Sequence, residues 1–222
     1  MFKSAAILLI LMVTTMFLNS CSMASASGVA IPDPKLDSAL APKQTVQTAV
    51  FAGGCFWGVE AVFDRVKGVV KAESGYAGGS ADTAKYHTVA SGVTGHAESV
   101  RITYDASQIT YGQLLKVFFA VAHDPTELNR QGPDVGPHYR SAIFYANEEQ
   151  KRVAESYIQQ LDQVKVFRKR IVTQVVPLEA FYEAEHYHQN YLVNHPNEPY
   201  IVYNDMPKLA NLRKLLPKLY KE

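Results

Sequence analysis

The segment from Thr48 to Val66 leaves the chain few ways to fold. A mostly apolar run, Thr48 to Ala52, ends in Gly53-Gly54-Cys55, and Val59, Val62, Phe63 and Val66 then recur at helical spacing. A short apolar run bounded by glycine reads as a buried strand, and the i, i+3, i+4, i+7 recurrence reads as a helix. Joining the two within so few residues requires a sharp backbone turn, which the two glycines permit. Cys55 then falls at the start of a helix, among its unpaired N–H groups.

Further along, Val69 to Gly75 reads as a second extended segment, followed by a loop through Gly78-Gly79 to Gly95. Glu98 to Tyr104 alternates polar and apolar residues, as a half-buried strand does. Thr110-x-x-Gln113 has the form of a capping box ahead of Leu114, Leu115, Phe118 and Phe119. A long loop with Asp124-Pro125 and Gly132-Pro133 leads to a strand over Tyr139 to Tyr145. Asn147-x-x-Gln150 opens an amphipathic helix with Val153, Tyr157, Ile158 and Leu161 on one face. Ile171 to Val176 reads as a last strand, and the rest as a long C-terminal loop segment. This order argues for an α+β two-layer sandwich, with the pairing order of its strands left open.

A cysteine at a helix start feels the positive end of the helix dipole, which favours the thiolate by about 0.3–1 kcal/mol. Gly53-Gly54-Cys55-Phe56-Trp57-Gly58 therefore reads as an activated thiol beside a large aromatic surface. A lone cysteine is ordinarily an inert core residue; strand, double glycine, cysteine and Phe-Trp together favour function. Two other chemistries are compatible with the composition. A Cys–His hydrolase or acyltransferase would need one of the seven histidines within reach of Cys55. A metal site on His186 and His188 would need a third ligand, which the spacing does not supply.

The run Gly-Cys-Phe-Trp-Gly resembles the active-site motif of the A-type methionine sulfoxide reductases. The likeness continues through Gly75-Tyr76-Ala77-Gly78-Gly79, Thr94-Gly95-His96-Ala97-Glu98 and His123-Asp124-Pro125-Thr126. It extends further through Asn129-Arg130-Gln131-Gly132, Asp134-Val135-Gly136, Tyr139-Arg140-Ser141 and Tyr187-His188-Gln189, so that it spans about residues 48 to 218. It implies a ferredoxin-like core with a mixed sheet, a catalytic domain over 47–222, no cofactor, no metal and a monomer. It also implies repair of oxidised proteins or peptides containing methionine S-sulfoxide, and of the free amino acid, with Cys55 as a nucleophile that becomes a sulfenic acid.

By the same resemblance Glu98 donates a proton to the sulfoxide oxygen, a role that needs a carboxyl kept neutral near pH 7 in an apolar pocket. Each tenfold suppression of ionisation costs about 1.4 kcal/mol, which burial near Phe56 and Trp57 could supply. Tyr86 and Tyr139 match the tyrosines that hydrogen-bond that oxygen; a phenol donates while staying neutral. Phe56 and Trp57 match the pocket for the S-methyl group. Asp134 matches a polar residue lining the site, and Glu185 and His188 a C-terminal segment folded back near it. The chain departs from the pattern at Thr83-Ala84-Lys85, where many relatives carry Asn-Pro-Thr, so the loop before Tyr86 is expected to be looser. It also has only Cys21 and Cys55, with no resolving cysteine after the nucleophile. Recycling by an external thiol, from a thioredoxin-like reductant or a small molecule, is the expectation.

The N-terminus has a separate purpose. Lys3 precedes a mostly apolar run from Ala5 to Leu18, shorter than the ~20 residues a membrane span needs but suited to a signal peptide over 1–20. Leu18-Asn19-Ser20-Cys21 resembles the bacterial lipobox, so Cys21 is the expected lipidation site, with acyl chains contributing about 0.8 kcal/mol per buried methylene. The expected location is membrane-anchored, facing the periplasm or cell exterior; Ser22 leans towards the outer membrane of a Gram-negative cell. Residues 21–46, rich in Ser, Ala and Pro, read as a flexible tether. With 22 Lys+Arg against 21 Asp+Glu and no basic cluster, nucleic-acid binding is not expected.

Overall fold

The computed structural model describes residues 28–222. The expected signal peptide and Cys21 lie outside the described residues. The elements are β1 (Val46–Gly53), α1 (Phe56–Asp64), β2 (Val69–Ala77), α2 (Tyr86–Val89), β3 (Ala97–Asp105) and α3 (Tyr111–Val117). They continue with β4 (Arg130–Gln131), β5 (Asp134–Val135), β6 (Ser141–Tyr145), α4 (Glu148–Val164), β7 (Gln174–Pro177), β8 (Phe181–Glu183), α5 (Tyr191–Asn194) and α6 (Met206–Leu215).

Six strands form one sheet in the order β7-β6-β1-β3-β2-β8, antiparallel except for the parallel β6–β7 pair. Its centre, β6-β1-β3-β2, takes α1 between β1 and β2 and α3 between β3 and β6, which is the ferredoxin-like arrangement with a mixed sheet. β1 shows why its sequence is apolar on both faces. Phe51 and Ala49 enter the main core with Phe63, Ile102 and Phe118, while Val50 and Ala52 pack with Ala77, Ala142 and Phe144 on the other side.

Local signals hold where they are complete. Thr110 Oγ1 accepts from the Gln113 N–H while the Gln113 side chain caps Thr110, closing the capping box of α3. Asn147 accepts from the Gln150 N–H at the start of α4. The strand expected over Tyr139 to Tyr145 begins only at Ser141, because Pro137–Tyr139 form a single 3₁₀ turn.

Two expectations need correction. From Gly28 the supposed tether packs on the domain: Ile31 is buried, Tyr157 Oη donates to the Pro32 carbonyl at 2.6 Å, and Asp37 accepts from Thr110 Oγ1 and the Gly112 N–H at the head of α3. Pro and Ala here make an ordered extended cover, because their partners lie 73 to 125 residues away. The C-terminal stretch, expected as loop, adds β8 to the sheet edge and lays α6 against α1. Among the described residues no helix is long and apolar enough to cross a membrane.

Candidate active site

The reversal after β1 places Cys55 as the N-cap residue of α1, with Gly54 at φ 88° completing the turn. A Cβ at Gly54 would come within 2.5 Å of Gln131, so the glycine is required by both backbone conformation and space. Cys55 is 7% exposed, enclosed but not sealed. Directly beside it, the Phe56 N–H donates to Glu98 Oε2 at 3.1 Å. Glu98 is a buried residue of β3, paired in register with Tyr76 of β2.

Burial pushes the Glu98 carboxyl up to about 8; the Phe56 N–H partly offsets this and the Asp134 carboxylate adds to it. At pH 7 it is therefore chiefly the neutral acid. The thiol departs from expectation. Burial raises Cys55 well above its ordinary range, and the carboxylates of Glu98, Asp205 and Asp134 act in the same direction. Only the Trp57 N–H, at the helix start, pulls downwards. The helix end does act on the cysteine, but it is outweighed: Cys55 is a thiol, not the thiolate that its position in the sequence suggested.

Tyr86, the first residue of α2, and Tyr139 share this environment. Burial raises both phenols, and the charges of Glu98 and Cys55 reinforce the effect on each, so both remain neutral donors. Asp134 on β5 is also raised by burial, and its Oδ2 accepts from Tyr200 Oη. An aromatic wall completes the site. Phe56 lies 5.0 Å from the His188 ring, and Trp57 stacks on Tyr191 at 3.7 Å with Tyr200 edge-on at 5.9 Å. Trp57 Nε1 donates to His188 Nδ1 at 3.1 Å, which assigns the remaining proton to Nε2 of a histidine that burial keeps neutral.

The loop before Tyr86 is not loosened by the absence of proline. Thr83 bonds back to Ser80 through both its N–H (3.1 Å) and its hydroxyl (3.0 Å), and the Tyr86 N–H donates to Glu185 Oε1 at 2.9 Å. Glu185 also accepts from Tyr76 Oη at 2.8 Å. It ties the C-terminal segment to Tyr86.

This constellation accords with the comparisons. The description of the peptide methionine sulfoxide reductase family matches residues 47–219. The chain belongs to that family. A peptide methionine sulfoxide reductase MsrA 2 of Mesorhizobium japonicum is 61% identical over 176 residues, covering 79% of this chain and 90% of the relative. Another MsrA 2, from Synechocystis, is 50% identical over 188 residues, covering 83% and 87%. Among solved structures, reduced Mxr1 of Saccharomyces cerevisiae superposes with a TM-score of 0.61 at 32% identity, covering 73% of this chain and 92% of that one. Methionine sulfoxide reductase A of Corynebacterium diphtheriae gives 0.59 at 34% identity, covering 78% and 89%.

Within this reductase fold, sequence reasoning missed four residues of the site: Tyr191, Tyr200, Asp205 and Lys208. Nothing distinguishes two of 13 tyrosines in a linear chain. Asp205 and Lys208, at i and i+3, read as an ordinary solvent-facing pair, yet both are buried and 3.0 Å apart. Among the described residues no histidine hydrogen-bonds Cys55, so the hydrolase reading lacks its base. Also among the described residues, no group of three His, Cys, Asp or Glu side chains is placed to hold a metal.

Proposed function

We propose that this member of the family reduces methionine S-sulfoxide, in proteins and as the free amino acid, with Cys55 as nucleophile and Glu98 as proton carrier. The observation that carries the reading is the shared helix start: the cysteine caps α1 while a buried, largely neutral carboxyl holds the next N–H. In the fraction of molecules whose Glu98 is ionised, the thiol proton passes to that carboxylate as the sulfur attacks the sulfoxide sulfur. Glu98 returns that proton to the sulfoxide oxygen, which Tyr86 and Tyr139 hold by hydrogen bonds. The S–S bond formed in the attack and the methionine S–O bond then break as the oxygen bonds to the Cys55 sulfur, and the products are methionine and a sulfenic acid. Phe56 and Trp57 receive the S-methyl group, Asp134 orients the substrate backbone or water, and His188 and Glu185 hold the wall and the Tyr86 loop.

The experiment is reduction of a peptide carrying each sulfoxide epimer separately. Turnover of the S form alone is the expected result; turnover of neither, or of both equally, would refute the assignment.

In this scheme the Cys55–Glu98 pair reacts when it carries one proton between its two groups. The single-turnover rate at sub-saturating substrate should therefore rise with pH up to about 8, where Glu98 ionises. Glu98→Gln should lose that rise, and a wild-type rate constant from pH 6 to 9 would exclude the shared proton.

Recycling falls to an external dithiol of thioredoxin type or to a small thiol, since only Cys21 and Cys55 exist. One thiol attacks the sulfenic sulfur, releasing water and forming a mixed disulfide; a second thiol frees Cys55 and leaves the reductant as a disulfide. Mass spectrometry after oxidation by substrate without reductant should show a persistent sulfenic acid. An internal disulfide would contradict the one-cysteine cycle. The anchor reading rests on the lipobox-like run ending at Cys21: a lipidated, exported reductase facing the periplasm or cell exterior, with Ser22 favouring the outer membrane. Labelling with a fatty-acid analogue, lost in Cys21→Ser, tests it.

A further inference from the structure

Asp205 and Lys208 belong to no step above, yet both are almost fully enclosed. Asp205 is 0% exposed and Lys208 5%, and Lys208 Nζ donates to Asp205 Oδ1 at 3.0 Å. Asp205 Oδ2 is buried with no hydrogen-bond partner. Burying a carboxylate with half its lone pairs unsatisfied is costly unless it serves something. Its position suggests what. A Cβ at Gly58 would lie 2.0 Å from Asp205 Oδ1 and 2.7 Å from Lys208 Nζ. Gly58 is three residues after Cys55 on α1, so the pair sits against the same first turn that Cys55 caps. The last glycine of Gly-Cys-Phe-Trp-Gly is thereby explained: its missing side chain is the space the ion pair fills.

We propose that Asp205, clamped by Lys208 over Gly58, is a positioning residue that adds to burial in favouring the un-ionised form of Cys55. Burial disfavours the charged form of Asp205 and Lys208 favours it; as a carboxylate against the first turn it opposes the positive helix end and adds to the burial that already disfavours the thiolate. Lys208 limits that effect, so the two members act on the thiol with opposite signs. The direction agrees with the other groups facing Cys55. Burial dominates, Glu98 on β3 and Asp134 on β5 add to it along with Asp205, and the phenols of Tyr86, Tyr139 and Tyr200 are neutral.

The inference rests on Cys55 being the reactive thiol, but its test does not use sulfoxide turnover. Full-length protein is treated with iodoacetamide across a pH series, and modification of the Cys55 peptide is quantified by mass spectrometry, which separates it from Cys21. Asp205→Asn should lower the midpoint of alkylation by about one pH unit, seen as roughly tenfold faster modification below the midpoint. Lys208→Gln should raise the midpoint, Lys208→Arg should restore it, and the double neutral variant should fall between the single ones. Loss of packing alone would move both single variants the same way. Shifts of equal sign, or an unmoved midpoint in Asp205→Asn that still melts cooperatively, would overturn the proposal. Should Asp205→Asn not fold, Lys208→Gln decides: an upward shift supports the proposal and no shift refutes it. Normal alkylation behaviour without sulfoxide reduction would count against the proposed function, not against this pair.

Discussion

Cys55→Ser should abolish methionine sulfoxide reduction, by at least about 10⁴-fold, while leaving the melting transition nearly unchanged. Loss of a covalent nucleophile removes the pathway rather than one stabilising contact within it. A serine hydroxyl is close to the thiol in size and would keep the N-cap position of α1, where hydroxyl residues are favoured. It ionises far less readily, and its oxygen cannot accept the sulfoxide oxygen to form a sulfenic acid. The measurement is turnover of a sulfoxide peptide beside a thermal melt of the same preparation. Activity within tenfold of wild type, in protein that melts normally, would remove Cys55 from the chemistry and with it the whole scheme.

Glu98→Gln should reduce the single-turnover rate by about 10²–10⁴-fold, the range for loss of a positioned general acid–base group. The amide is isosteric and its oxygen still accepts the Phe56 N–H now bound at 3.1 Å, so the turn geometry survives. What is lost is a group that can hold and release a proton. Because the wild-type carboxyl is raised to about 8, its ionisation is opposed by burial, and a permanently neutral amide carries no such opposition. Stability near pH 8 should not fall. Substrate binding should change little, so the effect belongs to kcat more than to KM. An unchanged rate would leave the sulfoxide oxygen to Tyr86 and Tyr139 alone.

The two variants probe features that differed in how visible they were. Cys55 announced itself, because a strand, two glycines and a helical period are local patterns that share one short segment. Glu98 did not: within β3 it alternates like a solvent-facing residue, and its burial follows from Tyr76 opposite it and α1 above it. The same contrast holds for residues 28–45. Their composition suggested a tether, but Ile31, Pro32 and Asp37 are placed by Tyr157, Thr110 and Gly112, and no window along the chain includes both partners.

By itself the sequence determined the order of the main strands and helices as far as α4, the caps at Thr110 and Asn147, and the position of one cysteine at a helix start, since each depends on residues a few places apart. The ionisation of that cysteine was decided only by the tertiary structure. The helix end favours the thiolate through nearby N–H groups, but burial and the carboxylates of Glu98, Asp134 and Asp205, brought from three distant segments, favour the thiol and prevail. Chemical identity is local in a chain, whereas the dielectric and the charges around a group belong to the assembled fold.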